Sequence, residues 1–383
     1  MPNFSGVWNL KDVMQAIGAE RWPSVVIPEL YTWGYNNQGQ LGLGDKLQRE
    51  SPVQVAGTNW SPTPGLIEAN NGVPKAIQAD GKLYAWGNNL YGTLGDGTVV
   101  NKSSPVQLGA ETWYAISAGR GLASFAIKSN KTLWGWGNDS AGALGLGTLS
   151  VFRSSPVQVG ALTNWEQVSI FNYSTGAVKT DSTLWMWGEN SSGQLGDNTT
   201  VSKSSPVQVG ALADWAYISP GFSTSVLAVK TDGTLWGWGA GSNGTLGTND
   251  TVSKSSPVQI GALTNWANAA FGDQCVLAVK TDGTLWAWGK NQAGQVGDNT
   301  TIGKSSPVQI GALTDWVKGR GGSDGSMAIR SNGGLYFWGQ SSQGSSGLND
   351  SVRRSSPTQI GSNEWIDFSM AVNVSMGIKR RPI

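Results

Sequence analysis

Catalysis by this chain would have to run on carboxylates, lysines, tyrosines and one thiol, because its 383 residues contain no histidine. That removes Ser-His-Asp and Cys-His nucleophiles, histidine general bases and histidine metal ligands. The repeat pattern marks no acidic pair of the kind that would hydrolyse a glycan. Asp96, Asp197 and Asp298 each follow an apolar-Gly pair, but the Asp-x-Asp-x-Asp-Gly ladder of a calcium loop is missing, so they read as turn formers. Asn-x-Ser/Thr triplets such as Asn198-Thr199-Thr200 read as loop composition. Cys275 is the lone cysteine, excludes an intramolecular disulfide and reads as a small buried residue. The expectation is a protein that is not an enzyme and uses no cofactor and no metal.

Recognition chemistry remains. The chain is written in near-copies, and one short loop changes in every copy, among them Asn70-Asn71-Gly72, Gly119-Arg120-Gly121, Phe171-Asn172-Tyr173, Gly221-Phe222-Ser223, Gly272-Asp273-Gln274 and Gly322-Ser323-Asp324. A uniform scaffold with varied loops is how binding surfaces are built. The candidate binding residues are therefore Arg120, Phe171, Asn172, Tyr173, Phe222, Asp273, Gln274 and Asp324.

The elements that position those loops follow from the repeat. A unit like Leu285-Trp286-Ala287-Trp288-Gly289 occurs seven times, and its second aromatic falls at Trp33, Trp86, Trp136, Trp187, Trp238, Trp288 and Trp338, spaced by 53, 50, 51, 51, 50 and 50 residues. A period near fifty with four short strand-like segments is the signature of a propeller blade. In residues 215 to 261 the grammar is plain: an opening Trp215, a strand, the variable loop, a second strand, the turn Asp232-Gly233, the tryptophan-glycine strand, a Gly/Asn loop, and an outer strand around Pro257. Asp-Gly between apolar runs is a hairpin signal, and a proline confines the last strand to an edge.

A basic residue precedes each of those prolines by three places: Arg49, Lys102, Arg153, Lys203, Lys254, Lys304 and Arg354. These read as guards against edge-to-edge pairing. Eleven tryptophans lie in tryptophan-glycine strands, seven open repeats, and Trp8 and Trp22 lie in the leader. All twenty thus take structural positions, leaving no platform for sugars or bases.

The fold expected is all-β, a seven-bladed propeller over residues 30–383. The last copy stops without its tryptophan-glycine strand, and the N-terminal side supplies one, so a blade is stitched from 30–55 and 364–380. Residues 1–29 form an N-terminal attachment segment with a short helix, carried by Trp8, Leu10, Val13, Met14, Ile17 and Trp22. Its interrupting charges leave no secretory signal. No apolar run is long enough to span a membrane, and 26 basic against 25 acidic residues give no field for nucleic acid.

The repeat resembles the regulator of chromosome condensation family, carried here by the loop Gly188-Glu189-Asn190-Ser191-Ser192-Gly193-Gln194-Leu195-Gly196 after its tryptophan-glycine strand. The resemblance covers about residues 30–380 and implies a seven-bladed propeller. It implies several functions: nucleotide exchange on chromatin, ubiquitin-ligase modules, and bacterial binders and inhibitors of enzymes. The histidine that begins the second strand in that family is missing from every copy, and no exchange-factor residue carries over. The opening Phe4-Ser5-Gly6-Val7-Trp8-Asn9-Leu10, followed by Trp22-Pro23, is similar to the openings of phage virion proteins that carry such propellers. Together these imply a non-enzymatic virion structural protein, held to other virion proteins by its leader and showing a face to a host-surface glycan or protein. The alternative is a cytoplasmic propeller that binds or inhibits a partner protein.

Overall fold

In the computed structural model, residues 26–57, 59–69, 72–118, 123–149, 151–219 and 224–382 are described. They form seven antiparallel sheets of four strands each, arranged as blades. Within a blade the strands are called a to d from the channel outward. In blade IV they are Trp215–Ile218, Ser225–Lys230, Leu235–Gly239 and Lys254–Gln259. Blades I to VI follow in chain order and take their c strands from the units ending at Gly87, Gly137, Gly188, Gly239, Gly289 and Gly339. The a–b and c–d loops open on one face, the b–c turns and the links between blades on the other.

Blade VII closes the ring from both termini: a and b are Trp365–Met370 and Val374–Pro382, c and d are Val26–Gly34 and Arg49–Gln54. Its c strand begins at Val26, four residues before Leu30, and pairs with the b strand over nine positions from Val26↔Pro382 to Gly34↔Val374. The other fully described b–c pairs have five. The seam is therefore the longest strand pairing of its kind in the molecule. The expected helix of the leader, with Trp8, Leu10, Val13, Met14, Ile17 and Trp22, lies outside the described residues.

The blades are held to one another by the repeat motif itself. Each of the seven second aromatics is fully buried. Each donates its indole N–H to a backbone carbonyl in the c–d loop of the preceding blade, as Trp86 to Gln40, Trp187 to Ala143 and Trp288 to Thr245, at 2.9–3.1 Å. Trp33 completes the circle on Ser345. Two residues past that carbonyl lies a glycine with positive φ, for example Gly247 at +72°, and a Cβ there would stand 2.8 Å from Trp288 Nε1. The glycine thus meets two demands at once, a left-handed turn and room for an indole.

The c–d loops have an internal hub. Asn89, Asn190 and Asn291 accept the Leu or Val amide five residues on and donate to the Asp seven residues on. Those acceptors are Asp96, Asp197 and Asp298, which also take the amide and hydroxyl of the following threonine. Burial pushes these carboxyls up, yet the threonine donors, joined by the asparagine at Asp96 and Asp197 and by Lys304 at Asp298, hold all three below the usual carboxylate range. They are turn formers, as their sequence context indicates.

The basic residues of the d strands are tied to the same loops. Arg49, Lys102, Lys203, Lys254, Lys304 and Arg354 pair with Asp45, Asp96, Asp197, Asp250, Asp298 and Asp350 at 2.5–3.8 Å. The start of each d strand is also covered, because the preceding loop donates an amide to it, as Gly44 to Ser103 O and Asn249 to Ser305 O. Guarding the edge thus falls partly to neighbouring backbone, and these charges serve the loops of their own blades.

Replacing Gly247 by Ala adds overpacking of about 1–3 kcal/mol to a left-handed strain of about 1–2 kcal/mol. Gly247→Ala is expected to lower stability by about 3 kcal/mol in urea unfolding, whereas Gly261→Ala, with nothing within 4 Å, shows the backbone part alone.

Candidate functional site

Opening tryptophans such as Trp215 and Trp266 are buried at the foot of each a strand. In blades II to VII a bulge directly after the tryptophan shifts the register, so the residues two and four places on leave the tryptophan's face and turn toward the channel. The lower tier reads Ala115, Gln167, Tyr217, Asn268, Lys318 and Asp367, a different residue in every blade from II to VII. The upper tier is mostly serine, but blade VI carries Arg320 and blade I, by its register, Glu68. These strands line a central cavity of about 390 Å³.

The wall of the channel is polar and cross-linked between blades. Arg320 donates to both oxygens of Glu68 at 2.7 and 2.9 Å and to Ser369 Oγ at 3.0 Å, joining blades VI, VII and I. Lys318 Nζ reaches Asp367 Oδ1 at 2.7 Å, and Asp367 accepts the Gly65 amide. On the opposite side Gln167 bonds both the carbonyl and the amide of Ile218, and Asn268 donates to Val317 O. One side of the channel is thus ionic, the other neutral.

Charge in this wall is shaped by burial. Burial works against the Arg320 cation, but the bidentate Glu68 carboxylate leaves its net shift upward. Burial raises the Tyr217 phenol well above its ordinary value, with smaller opposing effects from Arg320 and Glu68. Lys75 stands directly across from Glu68 in the a–b pair of blade I. It is fully buried where the other blades carry Phe125, Gly176, Leu227, Leu277, Met327 and Met376. Its ammonium has a long 3.5 Å contact to Val73 O and lies 5.9 Å from the Trp136 ring. Desolvation lowers it to about 7, against the pull of Glu68.

The a–b loops gather beside the channel mouth. Asp273 donates its amide to Gly322 O at 2.7 Å, Asn243 donates to Gln274 Oε1 at 3.2 Å, and Lys290 Nζ sits 3.3 Å from Asp324 Oδ1. Asp273, Gln274 and Asp324 therefore share one patch across blades IV to VI. Asn172 and Tyr173 form the two-residue turn of blade III and are half-buried. Arg120 and Phe222 lie outside the described residues.

Phe171 is a correction. It ends the a strand Trp165–Phe171, is fully buried and packs in one cluster with Met186, Ile218 and Val226. The tight turn at Asn172, with φ +29°, extends the hairpin past it and turns the ring inward. Cys275 is buried as expected, and burial pushes its thiol up to about 12. Among the described residues no three Cys, Asp or Glu side chains are grouped to hold a metal ion.

The reading of sequence missed the channel residues Glu68, Lys75, Gln167, Tyr217, Asn268, Lys318, Arg320 and Asp367. For all but Glu68 and Lys75 the signal lay in the second and fourth positions after each opening tryptophan; Glu68 and Lys75 take equivalent places only through the strand register of blade I.

Five stretches, residues 29–77, 80–124, 181–227, 232–279 and 282–329, match the regulator of chromosome condensation (RCC1) repeat. The ultraviolet-B receptor UVR8 of Arabidopsis thaliana is 27% identical over 244 residues, 62% of this chain and 54% of the receptor. The E3 ubiquitin-protein ligase HERC2 of Mus musculus is 27% identical over 247 residues, 61% of this chain but 5% of the ligase. The chain thus spans about half of the first relative and a small part of the second. Among solved structures, human WBSCR16 superposes with a TM-score of 0.83 at 17% identity, over 92% of this chain and 98% of that one. Yeast RCC1 (Prp20), solved bound to Kap60, superposes at 0.81 with 20% identity, over 94% and 90%. These two likenesses establish the fold.

Lys75 generates a pH-dependent prediction. Its folded value near 7 lies below the ordinary 10.5, so between those pH values the unfolded chain binds the extra proton and stability rises with pH. Lys75→Met, the residue found at the equivalent places in blades VI and VII, should raise stability at pH 7 by about 1.4 kcal/mol for each unit of depression removed. It should also flatten the pH 7 to 10 slope in urea titrations.

Proposed function

The chain belongs to the regulator of chromosome condensation repeat family, and from that membership we propose a non-enzymatic interaction module that holds a protein partner at the channel mouth. One observation carries the reading. Strands and turns repeat almost verbatim around the ring, while the lower channel tier and the adjoining a–b loops differ from blade to blade. Divergence concentrated on one connected surface is what recognition needs. The face supplies hydrogen-bonding groups of both kinds, from Tyr173, Asp273, Gln274, Asp324 and Lys290, around a polar opening.

In its finer form, the proposal places the partner on a host-cell surface and the propeller on a phage particle. The attachment segment, read from sequence as residues 1–29 and taken as the part before the seam strand that begins at Val26, binds other virion proteins, and the localisation is the virion. The support is the opening Phe4–Leu10 and Trp22-Pro23, which resembles the openings of phage virion proteins. The receptor and ligase relatives favour a second reading, a cytoplasmic protein-binding propeller.

Tyr173→Ala with Asp324→Ala should weaken adsorption of the purified chain to host cells about tenfold, a 1.4 kcal/mol effect, with an unchanged unfolding midpoint. Unaltered adsorption would sink the face assignment.

A truncation starting at Val26, which spares the seam strand, should fold cooperatively yet be missing from gradient-purified particles, as read by mass spectrometry of tryptic peptides. Recovery of the full chain only from the soluble host fraction would favour the cytoplasmic reading.

A further inference from the structure

The side wall of the ring carries a second kind of site, unrelated to the channel mouth. The first aromatic of each tryptophan-glycine unit is tryptophan in blades II to V and tyrosine in blades I, VI and VII. Unlike its buried neighbour two residues on, it is half-buried in all seven blades. Trp134, Trp185, Trp236 and Trp286 thus keep their structural place, packed against the core clusters, while part of each ring reaches the surface. Each first aromatic lies in register with the glutamine that ends its own d strand, as Trp134↔Gln158 and Trp286↔Gln309.

These aromatics form one wall of grooves between blades. Between I and II the groove holds about 580 Å³, with Val106 and Gln107 on one side and Trp134 and Pro156 on the other. Between IV and V it holds about 470 Å³, with Val258 and Gln259 facing Trp286 and Pro307. The same architecture arises twice from different copies of the repeat. Both volumes fall within the range of about 300–1,000 Å³ typical of small-ligand sites.

We propose that these rim grooves are repeated subsites for a neutral polysaccharide, with a pyranose ring set against the part of the indole that reaches the groove and its hydroxyls met by the glutamine amide and flanking polar groups. Charge selects the ligand. Groove charges come in opposed pairs, Asp96 with Lys102 and Glu111 with Lys128 in the first, Asp250 with Lys254 in the second. The first groove has no net field to favour a polyanion, and in the second the charge of Lys280 beside Trp286 is opposed by Asp282. The lysine at the end of each b strand, 3.9 Å over Trp134 and 3.7 Å over Trp286, covers one side of the indole from within. The rest of the ring faces the groove, an apolar surface beside donors and acceptors.

A peptide strand would need an open d-strand edge, and the preceding c–d loop already bonds the start of that strand. Single grooves of this size bind weakly, but a chain of sugars spanning several blades gains by avidity. The proposal goes beyond the recognition face and does not depend on it.

The test is saturation-transfer NMR of the full chain with glucose, galactose, mannose and N-acetylglucosamine at millimolar concentration, followed by retention on columns of the matching neutral polysaccharides. At least one sugar should show transfer. Retention should fall about tenfold in Trp134→Ala with Trp286→Ala, since two subsites of the array are lost. Gln259→Ala, which leaves Trp286 in place, should lose retention several-fold with an unchanged unfolding midpoint, and Gln107→Ala, which also takes the acceptor from the exposed Tyr84 hydroxyl, should do the same at the first groove. No transfer from any of the four sugars overturns the proposal. So does retention undiminished in all of these variants, or retention lost instead on Tyr173→Ala with Asp324→Ala.

Discussion

The interaction on which this structure depends is the hydrogen bond from a buried indole N–H to a carbonyl in the neighbouring blade, made seven times around the ring. A buried indole hides roughly 150–250 Å², and its N–H would be costly to leave unpaired in the core. Supplying the acceptor from the next repeat means that no blade is satisfied alone. Stability is then shared between neighbours, as in other repeat architectures. The opening tryptophans contribute differently: Nε1 of Trp60, Trp113, Trp165, Trp215, Trp266 and Trp316 is buried with no acceptor among the described residues, so their part is burial and edge-on packing against the c-strand rings.

That one bond explains much of the remaining pattern. The carbonyl has to be presented by a loop that turns sharply and lies close against the ring, which demands the glycine two residues later and is steadied in blades I, III and V by the asparagine hub before it. It also demands closure, because an open array would leave Trp33 without Ser345 and one loop without an indole. The nine-residue seam between Val26–Gly34 and Val374–Pro382 is the device that makes the first and last repeats neighbours. Disc, channel and grooves are all consequences of closing that circle.

Within so repetitive a frame the departures stand out. The channel tiers hold an ion-paired side and a neutral side, and Arg320 joins three blades through Glu68 and Ser369. A buried ion pair is weak evidence for stability, since well-packed apolar residues would serve at least as well. Its place in a tier that is otherwise mostly serine sets blades VI and I apart from the rest of the ring. Lys75 belongs to the same neighbourhood and replaces an apolar residue at a fully buried place, a cost that the other six blades avoid.

The sequence by itself determined the class, the number of blades, the four-strand grammar, the stitched blade and the turn role of Asp96, Asp197 and Asp298, because each rests on periodicity or local chemistry that a one-dimensional string carries. It also pointed to the a–b loops, of which Asp273, Gln274 and Asp324 share a patch. Only the tertiary structure decided which side of each ring meets solvent. Trp286 and Trp288 look alike in a strand, yet one closes a core and the other borders a groove, because only one has a neighbouring loop above it. Phe171 turned inward because a two-residue turn lengthened its hairpin. Glu68 and Arg320, 252 residues apart, became partners because closing the ring placed blade I beside blade VII. Distance along the chain holds no information about such pairs; closure creates them.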